Sequence, residues 1–133
     1  VNNWDLVDSS APYILGAWLL EEGGLEARPG LLDSLAASAS LWDRRIAVLA
    51  TFRFIRAGRF GETLRLAERL LGDREDLIHK AVGWMLREIG ERDREAEEVF
   101  LRRHCRTMPR TMLRYAIEKF PEPRRQAYLK GRP

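Results

Sequence analysis

Apolar residues recur along the chain at the three- and four-residue spacing of amphipathic helices, and no segment alternates convincingly with the period-two pattern of a strand. Ser10 followed by Pro12 marks a helix start, with Ser as N-cap and Pro in the first turn. That helix runs through Tyr13, Ile14, Trp18 and Leu19 to a stop at Gly23-Gly24. Pro29 opens a short second helix through Leu31, Leu32 and Leu35. Ser40 caps a long helix from Leu41 to about Arg56, ended by Gly58. Gly61 to Leu71 follows, ended by Gly72, and Asp73 caps the next helix, which runs to Ile89 and stops at Gly90. Arg94–His104, Pro109–Lys119 and Pro123–Leu129 complete the series.

Two of the longer segments align at an offset of 35 residues, Asp43-Arg44-Arg45-Ile46-Ala47-Val48-Leu49 against Ile78-His79-Lys80-Ala81-Val82-Gly83-Trp84. A third, Leu113-Arg114-Tyr115-Ala116-Ile117, aligns with the second at about 34. Helix pairs with such a period point to a solenoid. The degeneracy of the repeat favours a HEAT-like type over a tetratricopeptide type. The expected fold is therefore all-α, a HEAT-like α-α superhelix of antiparallel helix pairs, with residues 1–133 as one repeat domain. Arg45, Lys80 and Arg114 fall at equivalent repeat positions, which stack on one face of a solenoid. Such a basic stripe suits a duplex backbone. The alternative is that each cation pairs with an acid on its own surface.

Charge and cysteine content narrow the partners. Of 23 basic residues, 20 are Arg and 3 are Lys, and the net charge is +3. Guanidinium groups suit bidentate contact with phosphate, although a GC-rich genome produces the same bias. The lone thiol, Cys105, has no internal disulfide partner, which points to a reducing, cytoplasmic setting and a core or half-buried role. No apolar run is long enough to span a bilayer, and the first residues lack signal-peptide character. The chain begins at Val1 with a polar-aromatic cluster, which predicts that it is the C-terminal part of a larger domain whose N-terminal helices precede it.

Three segments carry candidate chemistry. In Trp4-Asp5-Leu6-Val7-Asp8, Trp4 and Asp8 are four residues apart and share a face if helical. An electron-rich ring beside a carboxylate stabilises a cationic sugar or base. Asp8 equally suits an N-cap for the helix that follows. In Trp42-Asp43-Arg44-Arg45, the indole reads as core, while both arginines face a partner. In His79-Lys80-Ala81-Val82-Gly83-Trp84-Met85-Leu86-Arg87-Glu88, a glycine inside a helix calls for close packing or substrate approach, because it costs about 1 kcal/mol. Trp84 also suits a core position, and Arg87 with Glu88 an ordinary surface pair. His104 and Cys105 diverge on a helix and His79 stands alone, so no metal site is expected. There is no glycine-rich phosphate loop and no assembled nucleophilic triad, so no cofactor is expected either.

The segments WDLVD, WDRRIAV, HKAVGWMLRE and RTMLRYAIEKF, in that order and spacing, resemble the signature segments of the AlkD-type DNA alkylation repair family. The resemblance covers nearly the whole chain. It implies a glycosylase that hydrolyses the N-glycosidic bond of N3- or N7-alkylated purines in duplex DNA; separately, a monomer is expected. It makes Asp8 the essential carboxylate, and Trp4 and Trp84 the rings that contact the lesion-bearing deoxyribose. Arg45 would contact the backbone near the lesion, with Arg44, Lys80, Arg87, Arg110 and Arg114 as further phosphate contacts. It also implies recognition through the backbone, with no base flipped into a pocket. The competing readings are a non-catalytic HEAT-repeat protein that binds DNA, or one that binds a protein partner.

Overall fold

The computed structural model describes residues 10–133, and among these the secondary structure is entirely helical. In chain order the helices are α1 (Ala11–Glu21), α2 (Gly24–Ala27), α3 (Leu31–Ala36), α4 (Leu41–Ala50), α5 (Phe52–Arg56), α6 (Gly61–Arg69), α7 (Asp76–Arg92), α8 (Arg94–His104), α9 (Arg110–Ala116) and α10 (Glu122–Leu129). The chain forms two compact units, Val1–Leu66 and Ala67–Pro133.

In the first unit, α1 and α3 both pack on α4, and α1 also meets α2 and α5. Leu19, Leu32, Ala36, Ala47, Ala50, Phe54 and Leu66 form the core, with Trp18 packed against it. Small residues set the spacing. A Cβ on Gly16 would stand 2.6 Å from the Ala50 carbonyl oxygen, so α1 approaches the backbone of α4. A Cβ on Gly24 would stand 2.5 Å from the Trp18 ring. Helix α1 ends at Glu21, just before the expected Gly23-Gly24 stop, where Gly23 is left-handed with φ of 77° and Gly24 opens α2.

The helix expected from Leu41 to Arg56 is broken at Thr51. Its hydroxyl donates to the Val48 carbonyl at 2.6 Å, and its amide bonds the same carbonyl at 3.1 Å. A β-branched hydroxyl three residues on thus captures an acceptor that would otherwise continue the α-helical ladder. Ser40 stands at the N-cap of α4 as expected, but Ser38 supplies the side chain. Its hydroxyl accepts from the Ser40 amide at 3.0 Å and donates to Asp43 at 2.7 Å.

In the second unit, α7 packs on both α8 and α9. Its core face is Ile78, Ala81, Val82, Met85, Leu86 and Ile89, all essentially excluded from solvent. Two expected boundaries of α7 move. Asp73 is not the cap. It accepts from the Glu75 amide at 2.9 Å, a turn that delays the helix to Asp76. Gly90 does not stop the helix, which continues to Arg92 before Asp93 caps α8 by accepting from the Ala96 amide at 3.2 Å. Gly90 lies within α7 because a Cβ there would collide with the Glu97 carboxyl. Gly83 plays the same part toward α9, where a Cβ would meet Tyr115 Cβ at 2.5 Å and the Met112 carbonyl at 2.6 Å. The aligned positions share their burial. Ala47, Val82 and Ala116 are buried, as are Val48, Gly83 and Ile117, whereas Arg45, Lys80 and Arg114 are not.

Two adjacent carboxyl groups on α8 are buried and behave oppositely. Burial opposes ionisation of Glu98, but the Tyr128 hydroxyl donates to it at 2.6 Å, Arg124 donates to the same oxygen and Arg94 Nε to the other at 3.0 Å. Those donors hold Glu98 below the usual carboxylate range. Burial of Glu97, reinforced by the neighbouring Glu98 charge, pushes its pKa up to about 9.

Two outcomes follow from this packing. Gly83→Val should destabilise the chain by about 1–3 kcal/mol in chemical denaturation, because the helices must separate. Gly72→Ala, at a site with open space around it, should be nearly neutral in the same experiment. The folded state keeps a proton on Glu97 that the unfolded chain releases above its ordinary value of 4.5. Stability should therefore fall as pH rises from about 7 to 8.5, and Glu97→Gln should flatten that decline in thermal melts. Glu98 acts in a separate window. Its stabilisation is present at neutral pH and is lost only as pH falls below the ordinary carboxylate range.

Candidate nucleic-acid interface

Of the expected site residues in the second unit, Lys80, Trp84 and Arg87 lie on α7 and Arg110 and Arg114 on α9. Helical spacing puts Lys80, Trp84 and Arg87 on successive turns of α7, beside the Gly83 contact with α9. Trp84 is half-buried, and its indole N–H donates to Glu88 Oε2 at 3.2 Å. The other Glu88 oxygen accepts from Arg92 at 2.9 Å. Glu88 is thereby a bracket that orients the indole, and Trp84 is not simply a core residue.

The cations differ in how firmly they are held. Lys80 pairs with Asp76 at 3.2 Å with both side chains well exposed, an i,i+4 pair worth only a few tenths of a kcal/mol. Arg87 is more enclosed, its side chain 18% exposed, and its Nη1 pairs with the Glu118 carboxylate. Its partner is thus Glu118 across the fold and not the adjacent Glu88. Arg110 donates to the Leu129 carbonyl at 2.6 Å and so ties the start of α9 to the end of α10. Arg114 is exposed on α9 with no ion-pair or hydrogen-bond partner among the described residues.

The remaining expected site residues lie in the first unit. Arg45 is half-buried on α4. Arg44 beside it donates from Nη1 to the Ser38 carbonyl at 3.0 Å and the Ala39 carbonyl at 3.1 Å. That guanidinium helps hold the α3–α4 link, a structural role that its place in a pair of adjacent arginines does not reveal. Trp4 and Asp8 fall outside the described residues.

A further basic run lies outside the expected site residues. Arg102, Arg103 and Arg106 are exposed around the end of α8, within a stretch from Val99 to Ile117 that contains no acidic residue. That gap was the available signal. Arg102 pairs with Glu95 at 2.5 Å. Cys105 is a buried thiol, and His104 stacks near the Phe100 ring at 4.5 Å, its pKa lowered by burial. Among the described residues no three His, Cys, Asp or Glu side chains converge as a metal site would require, and no helix is long and apolar enough to cross a membrane.

The family model described as DNA alkylation repair enzyme matches residues 1–120. No curated protein and no solved structure matches the chain significantly. Entirely helical among the described residues and matched over most of its length by one repair family, the chain belongs to the DNA alkylation repair enzyme family.

Proposed function

We propose that this chain is a DNA glycosylase that hydrolyses the N-glycosidic bond of N3- and N7-alkylated purines in duplex DNA, built as a HEAT-like superhelix of antiparallel helix pairs. The observation that carries the reading is the arrangement on α7. Trp84 is half-buried with its indole N–H bracketed by Glu88, and cationic Lys80 and Arg87 lie one turn to either side. The exposed Arg114 lies on α9, which packs against that helix. The family match supports repair of alkylated DNA as the setting.

An N3- or N7-alkylated purine already carries a positive charge, so the base leaves without being protonated. As the C1′–N bond lengthens, positive charge moves onto C1′ and O4′ of the sugar. The protein must then supply an anion and electron-rich ring faces at the sugar, in a site that excludes water. In this reading Asp8 is the anion and positions the attacking water, while Trp4 and Trp84 present their faces to the deoxyribose. Arg45 contacts the backbone near the lesion. Arg44, Lys80, Arg87, Arg110 and Arg114 contact further phosphates. The enzyme works as a monomer without metal or cofactor.

Release of free 7-methylguanine from a duplex carrying that lesion tests the proposal. The chain should release base, and Asp8→Asn should slow release by roughly 100- to 1,000-fold, the typical cost of losing one electrostatic group at a developing charge. Duplex binding without base release would replace the enzyme by a DNA-binding relative. For the interface, Arg114→Ala should weaken binding to undamaged duplex and reduce the log–log salt slope by about one unit. An unchanged slope would remove Arg114 from the phosphate contacts.

A further inference from the structure

A cleft of about 190 Å³ opens in the second unit between the end of α7, the start of α8 and the turn after α9. Arg87, Gly90 and Glu91 of α7 line it, with Arg94 and Glu97 of α8 and Phe120 beyond α9 among the other walls. The charged groups on its rim are already compensated. Arg87 pairs with Glu118, Arg94 with Glu98 at 3.0 Å and Lys119 with Glu91 at 4.0 Å. Arg94 also lies over the Phe120 ring, 4.7 Å from its centroid. An ionic ligand would have to break these pairs, so the rim favours a neutral one.

The interior is the opposite case. Glu97 is 1% exposed, yet neither carboxyl oxygen has a hydrogen-bond partner among the described residues. Arg87 Nε–H is buried and equally without one. Buried polar groups are almost always satisfied, and each orphan costs on the order of 1–3 kcal/mol. Gly90 leaves the space into which the Glu97 carboxyl projects. Burial, the nearby Glu98 and, more weakly, Glu91 favour the protonated acid, and the Arg94 and Arg87 charges do not overcome them. A neutral carboxyl presents an O–H donor beside a C=O acceptor. Its complement is an acceptor atom beside an N–H, the edge of a lactam or of an amino-substituted heterocycle. Arg87 Nε–H supplies a further donor. The cleft falls below the roughly 300–1,000 Å³ of drug-sized sites, which limits the occupant to one flat ring system.

We propose that this cleft binds a neutral nucleobase-type heterocycle through its amino-imine or lactam edge, with the Glu97 carboxyl and Arg87 Nε as the recognising groups. The inference does not depend on the glycosylase reading, because capture of a base and cleavage of a glycosidic bond are measured separately.

Calorimetric titration of the intact chain with adenine near pH 7 tests it, alongside N6,N6-dimethyladenine, which keeps the rings and the ring N–H but lacks the exocyclic N–H of the amino-imine edge. Adenine should bind. Dimethyladenine, and adenine with Glu97→Leu, should each bind at least about tenfold more weakly, the loss of a short hydrogen-bonded pair. Glu97→Gln keeps a donor beside an acceptor and should bind adenine within a few-fold of the native chain. Native binding should decline above about pH 9, where Glu97 ionises, and Glu97→Gln binding should not. A short oligo(dA) strand that competes identifies an unpaired base of a strand as the occupant, and one that does not identifies the free base. Either result upholds the site. Absence of adenine binding, equal affinity for dimethyladenine, or unchanged affinity in a folded Glu97→Leu chain overturns it. If that variant does not fold by circular dichroism, the dimethyladenine and pH comparisons decide.

Discussion

Helix α7 lacks a side chain at two positions seven residues apart, and the second unit depends on both. At Gly83 the gap lets α9 approach until Tyr115 and the Met112 carbonyl occupy the space of a methyl group. At Gly90 it admits the carboxyl of Glu97 from α8. Seven residues is close to two helical turns, so both gaps lie on nearly one face, with Arg87 between them. That close contact fixes α9 against the same helix that carries Trp84 and Lys80. Each glycine lowers the intrinsic stability of the helix, so the close approach it permits must offset about 1 kcal/mol per site.

Much of this was legible in the sequence, because helix identity depends on local spacing. The series of helices, the links at Gly58 and Gly72, and the shared burial of Ala47, Val82 and Ala116 all follow from apolar periodicity. The misread boundaries have one physical origin. At Thr51 a hydroxyl competes for a backbone carbonyl, at Asp73 a carboxylate closes a turn, and at Gly90 a residue on the next helix requires room. A residue type signals that such a feature is permitted there. Which partner is within reach is settled only by tertiary packing.

The candidate site divides along the same line. Positions on one helix, Lys80, Trp84 and Arg87, could be grouped from spacing alone. The partner of Arg87 could not, because Glu118 is 31 residues away. Arg44 shows the limit most clearly. As one of two adjacent arginines it reads as a partner-facing charge, whereas its guanidinium bonds two carbonyls of the preceding link. Glu97 carried no signal at all. In sequence it is one of two adjacent acids on a charged helix, and only the packing of α7 against α8 shows that it is buried while its neighbour is held by Tyr128 and Arg124.

The pairing of Arg87 with Glu118 has a kinetic consequence for any polyanion that docks on this face. The Glu118 carboxylate, 62% exposed at its side chain, already occupies the position a phosphate would take. An incoming strand therefore exchanges one anion for another at Arg87 and does not neutralise a bare charge, so this contact contributes little to nonspecific attraction. Under the proposed function, this contact would add to binding only where neighbouring groups also engage the strand.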